Sequence, residues 1–106
     1  MNSVNTRTIA LPRLNRLEPT LEGTALKLME EAGELAKTIL TLRAENERGP
    51  ALGRVALDLL DVAQTAITMM YVLEEQYGVD TAGALEQHLA KLLDKGYLSL
   101  GPARGG

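Results

Sequence analysis

Between Val55 and Leu73 the chain is apolar around nearly the whole circumference of a helix. Val55, Leu57, Leu59, Leu60, Val62, Ala63, Ala66, Ile67, Met69, Met70, Val72 and Leu73 leave no clean polar side. A helix of this kind is buried from several directions or lies in lipid. Asp58, Asp61 and Gln64 interrupt the run. Charge inside a membrane span is costly, so burial within protein is the expected outcome. Two or three helices of a single chain cannot surround such a segment. The expected fold is therefore all-α, a helical hairpin plus a third helix, completing a four-helix-bundle-type core by dimerisation.

Composition agrees with helix. Hydrophobic residues make up 45% of the 106 residues, yet the aromatics are three Tyr with no Phe or Trp. The core must be built from Leu, Ala, Val, Ile and Met, of which Leu, Ala and Met are strong helix formers. A net charge of −3 argues against a nucleic-acid polymer as partner. With no Cys, neither a disulfide framework nor a thiolate metal site is available. No apolar leader follows a basic start, so the expectation is a cytoplasmic protein with no membrane partner.

Along the chain, residues 1–17 carry Arg7, Arg13 and Arg16 with no acid before Glu18. They read as an irregular N-terminal arm, either frayed or packed on a partner subunit. A helical domain is expected over residues 18–98, and a flexible Gly-rich tail over 99–106. The first helix should start near Pro19, which suits the first helical position, and run out around Glu45 to Arg48. Gly49-Pro50 then breaks the chain. The second helix should span about Ala51 to Tyr77 and stop at Gly78. Asp80 can cap a third helix that ends near Lys95 before Gly96. Met29, Met69 and Met70 are expected in the core, and the lone His88 in solvent.

Two acid pairs carry the chemistry. Glu31 and Glu34, and likewise Asp58 and Asp61, stand three residues apart, so each pair shares a helix face. In an antiparallel hairpin turning near residue 46, Glu31 faces Asp61 and Glu34 faces Asp58. Four carboxylates converging between apolar helices repel one another unless a cation lies among them. Oxygen ligands alone point to a hard ion, Mg²⁺, with Mn²⁺ as the alternative. Mg²⁺ usually binds together with substrate phosphates, which points to phosphoryl chemistry.

Lys27-x-x-Glu30-Glu31-x-x-Glu34, followed on the next helix by Asp58-x-x-Asp61, resembles the MazG-like all-α nucleotide pyrophosphohydrolases, whose pattern is EExxE and then ExxD. Lys91-Leu-Leu-Asp-Lys95-Gly-Tyr97 resembles the basic close of that family, and the likeness covers roughly residues 20–98. It implies an Mg²⁺-dependent enzyme that splits a nucleoside triphosphate into a monophosphate and pyrophosphate, in a house-cleaning role against unwanted nucleotides. By position, Glu31, Glu34, Asp58 and Asp61 would ligate the metal. Lys27, Lys91 and Lys95 would meet the phosphates. Glu30 and Glu31 would be the catalytic acids, with Glu30 orienting a ligand or accepting the proton of the attacking water. The assembly implied is a homodimer or a dimer of dimers. One departure stands out: Asp58 replaces the family Glu and is one methylene shorter.

Two other functions fit the same residues. One is a non-catalytic helical dimer serving as a regulatory or nucleotide-sensing module. The other is an enzyme resembling phosphoribosyl-ATP pyrophosphohydrolase. Ordinary roles also exist for the lysines: Lys91 and Lys95 suit the negative end of a helix dipole, and Lys27 can pair with Glu31 one turn away.

Overall fold

The computed structural model describes residues 4–42 and 48–100. Among these residues the chain is all-helical, with α1 over Leu21–Thr41, α2 over Arg48–Tyr77 and α3 over Thr81–Asp94, and no strand. It falls into two compact units, residues 11–78 and residues 1–10 with 79–106. The expected hairpin turn near residue 46, and residues 101–106 of the expected tail, lie outside the described residues.

Helix starts follow a shared local rule. Thr20 caps α1, its hydroxyl accepting from the Gly23 amide at 3.0 Å. Asp80 caps α3 in the same way, its carboxylate accepting from the Gly83 amide at 2.9 Å. The cap at Thr20 places the first helical residue at Leu21, two beyond the start expected at Pro19. A side-chain acceptor fixes the start because the first amides of a helix have no internal partner. Asp80→Ala should lower stability by about 1 kcal/mol. Chemical denaturation of the full chain would measure it.

Helix ends differ from expectation at one place. α1 stops at Thr41, before the expected 45–48, where the Leu42 amide donates to the Ile39 carbonyl at 3.1 Å in a tightened last turn. Gly49-Pro50 does not separate the helices; it sits in the first turn of α2. Amides there lack helical acceptors, so proline forfeits no hydrogen bond. Gly96 ends α3 at φ +79°, with the Tyr97 amide bonded to the Leu92 carbonyl and the Gly96 amide to that of Leu93. That paired closure requires a left-handed residue, which glycine adopts without strain.

In the unit of residues 11–78, α1 and α2 pack side by side. Every residue of α1 that is not fully exposed falls on Leu21, Thr24, Leu28, Glu31, Leu35 or Thr38. These steps of three and four define a coiled-coil-like seam. Its counterpart on α2 is Ala51, Val55, Asp58, Val62, Thr65, Met69 and Val72, all buried or half-buried. Two hydrogen bonds cross the seam, from Thr38 to Asp58 and from Thr65 to Glu31, so the helices run antiparallel.

Among the described residues the buried apolar side chains are Ala51 and Val72 alone. Residues that follow seam positions on both helices lie on one side of an antiparallel pair, and here that side is apolar and bare. Met29 is 76% exposed, and Ile39, Leu52, Leu59 and Met70 are exposed on the same side. Met29 and Met70 are therefore not core of this chain, contrary to expectation; Met69, on the seam, is half-buried. His88 is exposed on α3. By length and composition α2 is long and apolar enough to cross a membrane.

Candidate functional site

The opposite side of the hairpin is mostly polar and is covered in part. Residues 12–19 lie along it as a strap fastened to α2 at several points. The Gln64 amide donates to the Pro12 carbonyl at 2.8 Å, and the Gln76 amide to that of Pro19 at 3.0 Å. Arg13 forms an ion pair with Glu75, and its guanidinium lies 4.6 Å from the centre of the Tyr71 ring. The second half of the expected arm is thus held on this chain's own α2.

Strap and helices enclose a cleft of about 580 Å³. Leu14, Leu17 and Pro19 give it an apolar wall. Thr20, Gly23 and Thr24 line it from the start of α1, with Lys27 and Glu31 further along. Asp61, Gln64, Thr65 and Thr68 line it from α2. Its volume is in the range of small-molecule sites. The strap side is mostly apolar but adds the Glu18 carboxylate, while the helix side presents one ammonium and two carboxylates.

The structure separates the four acids. Glu31 is half-buried on the seam and accepts from the Thr65 hydroxyl. Asp58 is also half-buried and accepts from the Thr38 hydroxyl at 2.6 Å. Sequence reasoning set Asp61 opposite Glu31 and Asp58 opposite Glu34. The hydrogen bonds place Thr65 and Thr38 there instead, each four residues, or one helical turn, further on. Like-charge repulsion explains the choice: a hydroxyl facing each carboxylate satisfies it, whereas a facing acid destabilises it. Asp61 and Glu34 are exposed. Asp61 still lines the cleft with Glu31; Glu34 and Asp58 do not.

Lys27 lies 3.9 Å from Glu30 in an exposed ion pair rather than pairing with Glu31. Glu30 is outside the cleft lining. Lys91, in the last turn of α3, and Lys95, its C-cap, are exposed and belong to the other compact unit.

Among the described residues, no three acid, imidazole or thiol side chains are grouped so as to hold a metal ion. A four-carboxylate cage therefore does not fit this arrangement. A two-carboxylate site does: Mg²⁺ commonly takes one or two protein carboxylates and completes its shell with water and phosphate oxygens. Glu31 and Asp61 both line the cleft and are the residues that could hold such an ion.

Sequence reasoning overlooked Thr38, Thr65, Gln64 and the strap contacts of Arg13, Tyr71 and Glu75. The threonines carried a signal, since Thr38 follows Glu31 by seven residues and Thr65 follows Asp58 by seven. Thr38→Val should cost about 1–3 kcal/mol by leaving a part-buried carboxylate without its donor. The loss would appear in denaturant titration. No protein-family model, curated protein or solved structure matches this chain.

Proposed function

We propose that the chain is an Mg²⁺-dependent nucleoside triphosphate pyrophosphohydrolase working in the cytoplasm as a homodimer. The observation that carries this reading is the two-sided cleft. Its apolar wall suits a nucleoside, and its Lys27, Glu31 and Asp61 side suits a polyphosphate with its cation. The likeness of Lys27-x-x-Glu30-Glu31-x-x-Glu34 and Asp58-x-x-Asp61 to the MazG-like enzymes supports the same chemistry.

In this proposal water attacks the α-phosphorus, a new P–O bond forms there, and the bond from that phosphorus to the α,β-bridging oxygen breaks. Pyrophosphate leaves with the bond's electron pair. Lys27 stabilises the charge that develops on the phosphates. Glu31 takes the proton from the attacking water, because of the two candidate bases it is the one in the cleft. Thr65 holds the Glu31 carboxylate in place. Glu31 and Asp61 would hold Mg²⁺, which when bound neutralises phosphate charge and acidifies water. Lys91 and Lys95 are proposed phosphate contacts on the strength of the resemblance alone. Glu34 and Asp58 lie outside the cleft and are left out of the proposed metal site.

Dimerisation rests on the bare face of the hairpin. A chain that buries so little apolar surface is marginal alone. A second copy covering Met29, Ile39 and Leu59 would complete a four-helix core.

The test is pyrophosphate release from a panel of ordinary, deoxy and damaged nucleoside triphosphates with Mg²⁺. Turnover of at least one member is expected. Silence with every member, and with phosphoribosyl-ATP, would exclude the enzyme. One observation favours a second reading, a non-catalytic helical module: Glu31 and Asp58 serve the seam as acceptors from threonine. Under it, nucleotides bind without turnover.

A further inference from the structure

We propose that Arg13 is a positioning residue for the cleft, clamping residues 12–19 so that the strap forms its nucleoside-facing wall. The inference rests on the nucleotide reading above and concerns residues that the acid motif does not include. Leu14, Leu17 and Pro19 supply the apolar wall, yet none of them belongs to a helix. A short irregular segment holds its place only through its attachments, since ordering it costs conformational entropy.

The attachments are specific. Arg13 reaches across α2, with its guanidinium carbon 4.6 Å from the centre of the Tyr71 ring and a nitrogen bonded to Glu75, one turn further along. Gln64 ties the preceding Pro12 carbonyl to α2 and also lines the cleft. Gln76 ties down the far end at Pro19. Between these points the carbon side chains of Leu14 and Leu17 face the space beside Lys27, Glu31 and Asp61. The clamp is therefore outside the cleft, while the wall that it holds is inside. Lysine cannot replace it fully, because a planar guanidinium can lie against a ring while one of its nitrogens bonds a carboxylate.

Loss of the clamp should weaken the nucleoside part of binding and spare the polyphosphate part. The probes are α,β-methylene-ATP and inorganic tripolyphosphate, each with Mg²⁺, measured by calorimetry on the full chain. Arg13→Ala should raise Kd for the nucleotide about tenfold, as stacking and ion pair are lost together. Kd for tripolyphosphate should stay within twofold. Arg13→Lys should fall between. In turnover, KM should rise and kcat hold. Amide exchange over residues 14–18 should quicken in ligand-free Arg13→Ala and slow when nucleotide binds the native chain.

Equal effects on both probes, or none on either, would overturn the proposal. Should the native chain bind neither probe, the nucleotide reading itself fails. Ligand-free exchange then still judges the clamp: unchanged rates in Arg13→Ala would show that Arg13 does not hold the strap.

Discussion

Asp61→Asn should lower pyrophosphate release by about 10²–10³-fold, the scale of losing one charge-stabilising group at a reacting centre. Stability should barely change. Asp61 is exposed, and among the described residues it has no ion pair or side-chain hydrogen bond in the folded chain. Surface substitutions of that kind stay within about 0.5 kcal/mol. Asn keeps the shape of Asp and removes the charge that would hold Mg²⁺. Calorimetric titration with Mg²⁺ should lose its signal in the same variant. Glu31→Gln should lose comparable activity but also some stability, because its partner Thr65 is buried on the seam. The contrast between these two acids separates a role in chemistry from a role in packing. Equal stability losses, or retained activity in Asp61→Asn, would place the reaction elsewhere.

A second large effect is expected on assembly. Leu59→Glu sets a carboxylate in the middle of the bare face between α1 and α2. In a lone hairpin that position is exposed and the change is mild. In a dimer it buries an unpaired charge, at a cost of several kcal/mol. The native chain should sediment as a dimer or larger, and Leu59→Glu should sediment as a monomer with a lower unfolding midpoint. Met29→Glu, on the same face, should behave alike. A native chain that is monomeric at high concentration would contradict the role assigned to this face. Membrane insertion of α2, which its length and apolarity allow, is the outcome a lipid-flotation assay would detect.

Much of the helical layout was legible in the residues, because the signals were local. Asp80 and Gly96 bracket α3 as a cap and a left-handed stop, and Gly78 closes α2 at φ +65°. Gly49-Pro50 misled for an equally local reason: proline ends a helix only when it falls beyond the first turn, and position within the turn is not written in the dipeptide. The register between helices was harder. Spacing placed acid against acid, but pairing energies choose among registers one turn apart. The acid and threonine seven residues apart on each helix, Glu31 with Thr38 and Asp58 with Thr65, offered a register that satisfies both carboxylates.

The strap was not legible at all. Nothing in Pro12 to Pro19 has periodicity, and its place depends on Tyr71, Glu75, Gln64 and Gln76, more than 50 residues away in sequence. The apolar face could be anticipated from Val55–Leu73, since one neighbouring helix cannot cover so broad a surface. The candidate site was half legible: two of the four acids, Glu31 and Asp61, line the cleft with Lys27, and the apolar wall facing them came from the strap.

Turnover in water enriched with heavy oxygen tests the central claim most directly, with Mg²⁺ and a nucleoside triphosphate that the chain turns over. Attack at the α-phosphorus predicts one labelled oxygen in the nucleoside monophosphate and none in the pyrophosphate released. Label in pyrophosphate, release of orthophosphate alone, or no product with any triphosphate would contradict it.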